Sequence, residues 1–389
     1  MIGFIIGTFS HGRGGHVWDL KVIAETLSKH KSCVIFNIGS SESPVLEESN
    51  LEVINLPLEL YKSTKLMSEE VKKRSIKTLI VIDVRVSIIP SLVSSFYTIP
   101  IISIKPGGPN PKKYFPTFGK LIVYSQENYE YFKLNSEYSF EKLSFIPNRC
   151  SKVKVNKSLV KDIEKKVGKD TFIFLQIIRI VEEYHSNISK AISLIKKLSE
   201  DKSVNSSALV LVGVPQCSKT LAQVEEEAKG YPVYILNDDI YTKKASELID
   251  IADVVIANGR GVMEASSRSK PILISCVDEE LPVVLNEYNF PHAFSVNFSP
   301  RLDLTDVKNE DYNNFNSIKS VINDQAYYNE LTDFSKSKFS ECFDVEEGVK
   351  DYIEIIDSSK FQKIKPKDMI FSLKIYLFSV IKLIFKGRV

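Results

Sequence analysis

The sequence predicts an α/β protein of two doubly wound, Rossmann-like halves facing a cleft, followed by a C-terminal amphipathic helix. Three observations carry that prediction. At 389 residues the chain exceeds what one hydrophobic core usually holds, so two domains are the default. Continuous apolar, β-branched runs alternate with amphipathic helical patterns, as in parallel sheets covered on both faces. After Pro147 the chain turns polar and lysine-rich over Ser151–Lys169, and then the alternation starts again.

In the first half, strands are predicted at Ile2–Ile6, Cys33–Ile38, Leu79–Ile82, Ile99–Ile104 and Leu121–Val123, with helices such as Val17–His30 and Glu69–Ser75 between them. The N-terminal run breaks into glycines after six residues and has no basic n-region, so it reads as a buried strand and not a signal peptide. In the second half, strands are predicted at Phe172–Ile178, Ala208–Val212, Val233–Leu236, Val254–Ala257 and Ile272–Cys276, with helices at Ser186–Leu198 and Leu221–Lys229. Ser299–Ser340 is polar and aromatic and finishes that half, and Val345–Ile356 is an amphipathic helix free to cross back onto the first. The expected organisation is 1–155, 156–343, a crossing helix at 344–360 and a basic tail at 361–389.

Charge narrows the function classes. From Phe361 to Val389 there are seven Lys/Arg against the single acid Asp368, so the tail carries +6 and the remainder +2 − 6 = −4. A mildly acidic body argues against nucleic-acid binding. The five cysteines are dispersed with no CxxC, which fits structural thiols in a reducing compartment and offers no zinc site.

The segment Ala252–Ser275, ADVVIANGRGVMEASSRSKPILIS, is the most informative in the chain. It reads as strand, glycine-broken turn, a helix opening on Glu264, and a strand after Pro271. Gly259 and Gly261 permit close backbone approach, Arg260 supplies a forked cation, and helix amides attract anions. Glu264 is suited to accept hydrogen bonds from vicinal hydroxyls. A ribose with a diphosphate uses all three features; an ordinary βα turn with a dipole-favoured Glu explains the same residues. Arg179 follows a strand directly and completes a diphosphate clamp with Arg260. His185 is placed to assist or to be a surface residue. Asp238–Asp239 suit either a metal or, more cheaply, N-cap duty for Asp239.

Two first-half turns join these candidates. Gly14 and Gly15, in GTFSHGRGG, stand at a helix entrance, a setting for a sugar or phosphate or for a tight structural turn. It is neither a Walker loop nor a dinucleotide fingerprint. Lys105 ends a buried strand and precedes the turn Pro106–Pro109, where it faces the cleft.

In the tail, Asp368, Ser372, Ser379, Lys382 and Lys386 recur at helical spacing as a narrow polar stripe, and Ile370, Phe371, Leu373, Leu377, Phe378, Ile381, Ile384 and Phe385 cover the rest. This suits a helix in a membrane interface over anionic lipid, or one buried in the protein or a dimer.

Over roughly residues 1–360 the chain resembles a bacterial GT-B glycosyltransferase of the family 4 type. The resemblance rests on the Gly14–Gly15 turn, Ile146–Pro147–Asn148, Arg179, the glycine-ended strand Leu209–Gly213 and above all Ala252–Ser275. It implies that Glu264 binds the ribose of a UDP- or GDP-sugar, that Arg179 contacts the diphosphate, and that amides around Gly259–Gly261 hold diphosphate or sugar. It further implies retention of configuration, with no cofactor or bound metal. Three positions depart from the family pattern. Ile256 stands where the first acid of E-x7-E belongs, Glu183–Tyr184–His185 replace an expected Lys, and the Lys105–Gly108 turn replaces a His.

The reading is a transferase with Lys105 and Glu264 as catalytic groups and with Arg179, Gly259, Arg260, Gly261, Glu264, Gly14 and Gly15 as donor-binding groups. The expected partners are a nucleotide sugar, a lipid-linked or polysaccharide acceptor and the inner membrane surface, in capsule, exopolysaccharide or lipopolysaccharide assembly. Alternatives are a sugar-nucleotide epimerase and a non-catalytic nucleotide-sugar-binding subunit of an assembly complex.

Overall fold

The computed structural model describes the whole chain except residues 10, 11, 13, 40, 41, 136, 139, 308–312 and 386–389, and the side chain of residue 140. Ser10, His11 and Arg13 of the first turn, and Lys386 and Arg388 of the tail, lie outside the described residues. The chain folds as two compact units, Met1–Arg149 with Val345–Val389, and Cys150–Asp344.

The first unit is built on seven parallel strands: β1 (Ile2–Thr8), β2 (Cys33–Gly39), β3 (Val53–Leu56), β4 (Thr78–Val81), β5 (Ile101–Lys105), β6 (Lys120–Val123) and β7 (Leu143–Phe145). Their order is β3-β2-β1-β4-β5-β6-β7. The second unit carries β8 (Phe172–Ile177), β9 (Ser207–Val212), β10 (Val233–Leu236), β11 (Val254–Ile256), β12 (Ile272–Ile274) and β13 (Val283–Val284) in the order β10-β9-β8-β11-β12-β13. Only β13 runs antiparallel, against β12. Both orders reverse direction once, between β1 and β4 and between β8 and β11, the points at whose carboxyl ends doubly wound sheets generally hold ligands.

Period-two alternation explains why the strands read as unbroken apolar runs. Ile2, Phe4 and Ile6 enter one core and Ile5 the opposite one. In β9, Ala208, Val210 and Val212 face one side and Leu209 and Leu211 the other. In these two strands both faces are buried, so no polar alternation appears. Helix Val345–Ser358 belongs to the first unit: Val349, Tyr352 and Ile356 enter its core beside Val17, Leu20 and Ala24 of helix Gly15–Ser28.

The last helix, Pro366–Phe385, corrects an expectation. Its polar stripe does not face solvent at the amino-terminal half. Asp368 is buried and accepts from the Tyr114 hydroxyl at 2.7 Å and the Thr117 amide at 3.0 Å. Ser372 is buried against Ser87, oxygen to oxygen at 2.6 Å, and the Tyr376 hydroxyl donates to the Leu58 carbonyl. The partners these groups find in the first unit outweigh their solvation, so the helix docks by its polar side. Among the described residues no helix is long and apolar enough to cross a membrane.

Candidate functional site

The second unit's strand order reverses where β8 and β11 lie side by side, with Gln176 level with Ile256. Past β8, Ile178 and Ile180 donate to the carbonyls of Val212 and Val214, so the chain stays straight through Arg179. Gly213 makes this approach possible, because a Cβ there would lie 1.9 Å from the Ile178 carbonyl oxygen. Arg179 is exposed and held by Tyr184. Its guanidinium lies over the ring at 5.0 Å, and Nη2 donates to the hydroxyl at 2.9 Å. Tyr184 thus orients the arginine.

Past β11 the chain turns on Gly259, with φ +54° and ψ −128°, a conformation essentially reserved for glycine. The helix therefore starts at Arg260 and runs to Ser266, and Glu264 lies beyond its first turn. That corrects the expected start at Glu264. The amides corrected a second expectation: Gly259 donates to the Phe298 carbonyl at 2.8 Å, Gly261 to Asn258 at 3.2 Å and Val262 to Gly259 at 3.2 Å. These three amides are spent inside the protein. Gly261 serves close packing, since a Cβ there would sit 3.2 Å from that of Ala257.

Arg260 Nε donates to Glu264 Oε1 at 2.8 Å, and the two side chains are only 14% and 18% exposed. The order is unusual. A cation at the helix start followed by an acid four residues on runs against the helix dipole, so helix stability does not explain this pair. Arg179, Arg260 and Glu264 thus all follow the carboxyl ends of adjacent strands, with charge supplied by guanidinium groups.

Other candidates are placed elsewhere. His185 Nε2 lies 2.9 Å from Glu227, an ion pair when the imidazole is protonated. Asp238, not Asp239, is the N-cap of helix Asp239–Thr242; its side chain makes no capping bond, and Asp239 pairs with Lys243 at 3.2 Å. No group of three or more His, Cys, Asp or Glu suited to a metal occurs among the described residues. Burial pushes the Asp253 carboxyl up and the Lys270 ammonium down, but both flank the amino ends of β11 and β12, opposite the carboxyl ends that carry the candidate groups. Burial pushes the Cys33 thiol up to about 11, as an inert structural thiol requires.

In the first unit, Gly14 is the N-cap of helix Gly15–Ser28 with ordinary extended backbone, and no side chain caps that helix. Gly15 is exposed, with open space where a Cβ would stand. Lys105 corrects its reading as a presented group. It is buried, and Nζ donates to the Gly107 carbonyl at 2.5 Å and Asn128 Oδ1 at 2.9 Å. Asn128 in turn donates to the Gly108 carbonyl at 3.2 Å and Asn110 at 2.9 Å. The turn runs through two left-handed glycines, Gly107 and Gly108, and this clip holds it in place.

No family model matches the chain, and no curated protein matches its sequence. Solved structures do match. Anabaena HepE in complex with UDP and glucose aligns over 92% of this chain and 99% of its own, with a TM-score of 0.64 at 13% identity. A glycosyltransferase from Rickettsia africae aligns over 92% and 97%, with a TM-score of 0.66 at 13% identity. The UDP-GlcNAc 2-epimerase of Neisseria meningitidis bound to UDP-GlcNAc aligns over 91% and 99%, with a TM-score of 0.58 at 12% identity. The chain has the GT-B fold.

Within that GT-B frame, two features escaped the sequence reading. Thr8 Oγ1 donates to Asn37 Oδ1 at 2.5 Å, Asn37 Nδ2 to Asn55 at 2.9 Å and Asn55 Nδ2 to Glu42 at 3.3 Å, a polar ladder at the carboxyl ends of β1–β3. Its signal was present: one Asn interrupts each of the apolar runs VIFNIG and VINL. The Tyr184 support of Arg179 left only a weak mark, an aromatic five residues after the arginine.

Proposed function

We propose that the chain is a family-4-type glycosyltransferase that moves a sugar from a UDP- or GDP-sugar to a membrane-associated saccharide acceptor in surface-polysaccharide assembly. The observation that carries this reading is the trio Arg179, Arg260 and Glu264 at the point where the second sheet reverses its strand order. Ligands of doubly wound sheets bind at such points. That HepE, which shares the fold, was solved in complex with UDP supports a nucleotide as a ligand of this chain.

The Arg260–Glu264 pair suits partner exchange. A ribose diol takes the Glu264 carboxylate while the diphosphate takes the Arg260 guanidinium, so neither charge loses its partner when the donor binds. Arg179, already oriented by Tyr184, adds a second fork to the diphosphate. As the bond to the sugar breaks, negative charge grows on the departing nucleoside diphosphate, and two fixed guanidinium groups stabilise it there. In this reading transfer proceeds without a metal and with retention. Gly15, with open space beside it, leaves the entrance of its helix to sugar hydroxyls, while the His16 imidazole stands against Gly14 and Lys105 shapes its own turn without taking part in bond breaking.

The test is transfer from a panel of UDP- and GDP-sugars to lipid-linked saccharides. Product that depends on Arg179 and Glu264 is the expected result, and absence of both transfer and nucleotide binding overturns the reading. An epimerase is the second reading, because one sharing this fold is known. Epimerised nucleotide sugar formed without any acceptor would select it.

A further inference from the structure

Helix Pro366–Phe385 turns its polar side to the protein and its apolar side outward. Asp368, Ser372, Tyr376 and Leu383 are buried, while Ile370, Leu377, Phe378, Ile381, Ile384 and Phe385 are 48–86% exposed. At helical spacing these sets lie on opposite sides of one cylinder. The contacts to Tyr114, Thr117, Ser87 and Leu58 pin the inner side, so the helix cannot roll to hide the outer one. The adjoining helix Ile88–Tyr97 adds another exposed ring, Phe96.

Charge distinguishes the occupants. The exposed charges on the described part of this helix are Lys367, Lys374 and Lys382, and its one acid, Asp368, is buried and hydrogen-bonded. Lys367 pairs with Glu137, which leaves Lys374 and Lys382 flanking the apolar residues. Exposed Lys363 and Lys365 stand just before the helix. The neighbouring acid Glu59 lies 3.9 Å from Lys62. A second copy placed two-fold on this face sets lysine toward lysine with no acid on the helix to answer. Lipid phosphates answer them directly, while the Phe and Ile side chains enter the acyl boundary and the lysines reach back to the headgroups.

We propose that this outward face is a docking surface for anionic lipid, which lays the helix in the plane of the membrane interface and fastens the first unit to it. The proposal deepens the reading of a membrane-associated acceptor and rests on it for its purpose, but its test uses neither donor nor acceptor. A transferase that stays off vesicles and a vesicle-bound protein without transfer are therefore separate results.

The test is flotation of the full chain with phosphatidylcholine vesicles, with and without phosphatidylglycerol. The unsubstituted protein should float with the anionic vesicles and lose part of that binding in high salt. Phe378→Asp with Ile381→Asp should cut binding at least about tenfold, and Lys374→Ala about fivefold on the anionic vesicles alone. Because these side chains point away from the core, nucleotide binding should not change. Phe378→Trp keeps the face apolar, and its indole should be quenched by brominated acyl chains. Failure of the unsubstituted protein to float, equal flotation of the aspartate variant, or an unquenched indole overturns the proposal. So does a solution dimer that Ile381→Asp dissociates without any lipid binding.

Discussion

Replacing Gly259 by Ala isolates the feature that aims the candidate site. The residue sits at φ +54° and ψ −128° with no atom within 4 Å of where a Cβ would stand, so alanine meets no clash. The cost is backbone strain alone, about 1–3 kcal/mol. If the chain relaxes instead to negative φ, it loses the 2.8 Å bond to Phe298 and re-aims the helix that carries Arg260 and Glu264. Gly15→Ala is the matched control, because it too has open space but sits at an unstrained helix start. There alanine should stabilise by about 0.4–1 kcal/mol through the unfolded chain. Urea unfolding of both variants, with UDP titration of each, reads the contrast. Equal stability of the two, or a Gly259→Ala variant with unchanged stability and UDP affinity, would refute the reasoning.

Lys105→Met leaves the Gly107 carbonyl and Asn128 without their buried donor, and should cost about 1–3 kcal/mol of stability with no change in UDP affinity. A variant of full stability that has lost transfer would restore Lys105 as a chemical group. Arg268, bonded to Asp250 at 2.6 and 2.7 Å, holds that carboxyl below its usual range. A depressed folded pKa makes the stabilisation complete above about pH 4 and removes it as pH falls through the lower folded value. Asp250→Asn should therefore flatten that part of the acid unfolding profile, and an unchanged profile would count against the pair.

Ten strands were legible because they read as largely apolar runs, most of them buried on both faces. The three missed ones lack that mark. Val53–Leu56 contains Asn55, Leu143–Phe145 has three residues, and Val283–Val284 has two. The places of the candidate groups in the fold were also readable: Arg179 stands just past β8, and Arg260 opens the helix after β11. What one-dimensional pattern could not carry was partnership. Whether Asp368 faces water or Tyr114, whether Lys105 meets solvent or Asn128, and whether the Gly259 amide is open depends on residues 23 to 254 positions away. Glycines in a turn signal freedom of the backbone equally whether it serves a ligand or its own carbonyls.

Calorimetric titration of the full chain with UDP and GDP, repeated on Arg179→Ala and Glu264→Ala, bears most directly on the second unit as a nucleotide site. The account predicts saturable binding of at least one nucleotide, weakened by about 1–3 kcal/mol in each variant, or roughly five- to 150-fold. Nucleotide affinity that is the same in both variants as in the unsubstituted chain would contradict it.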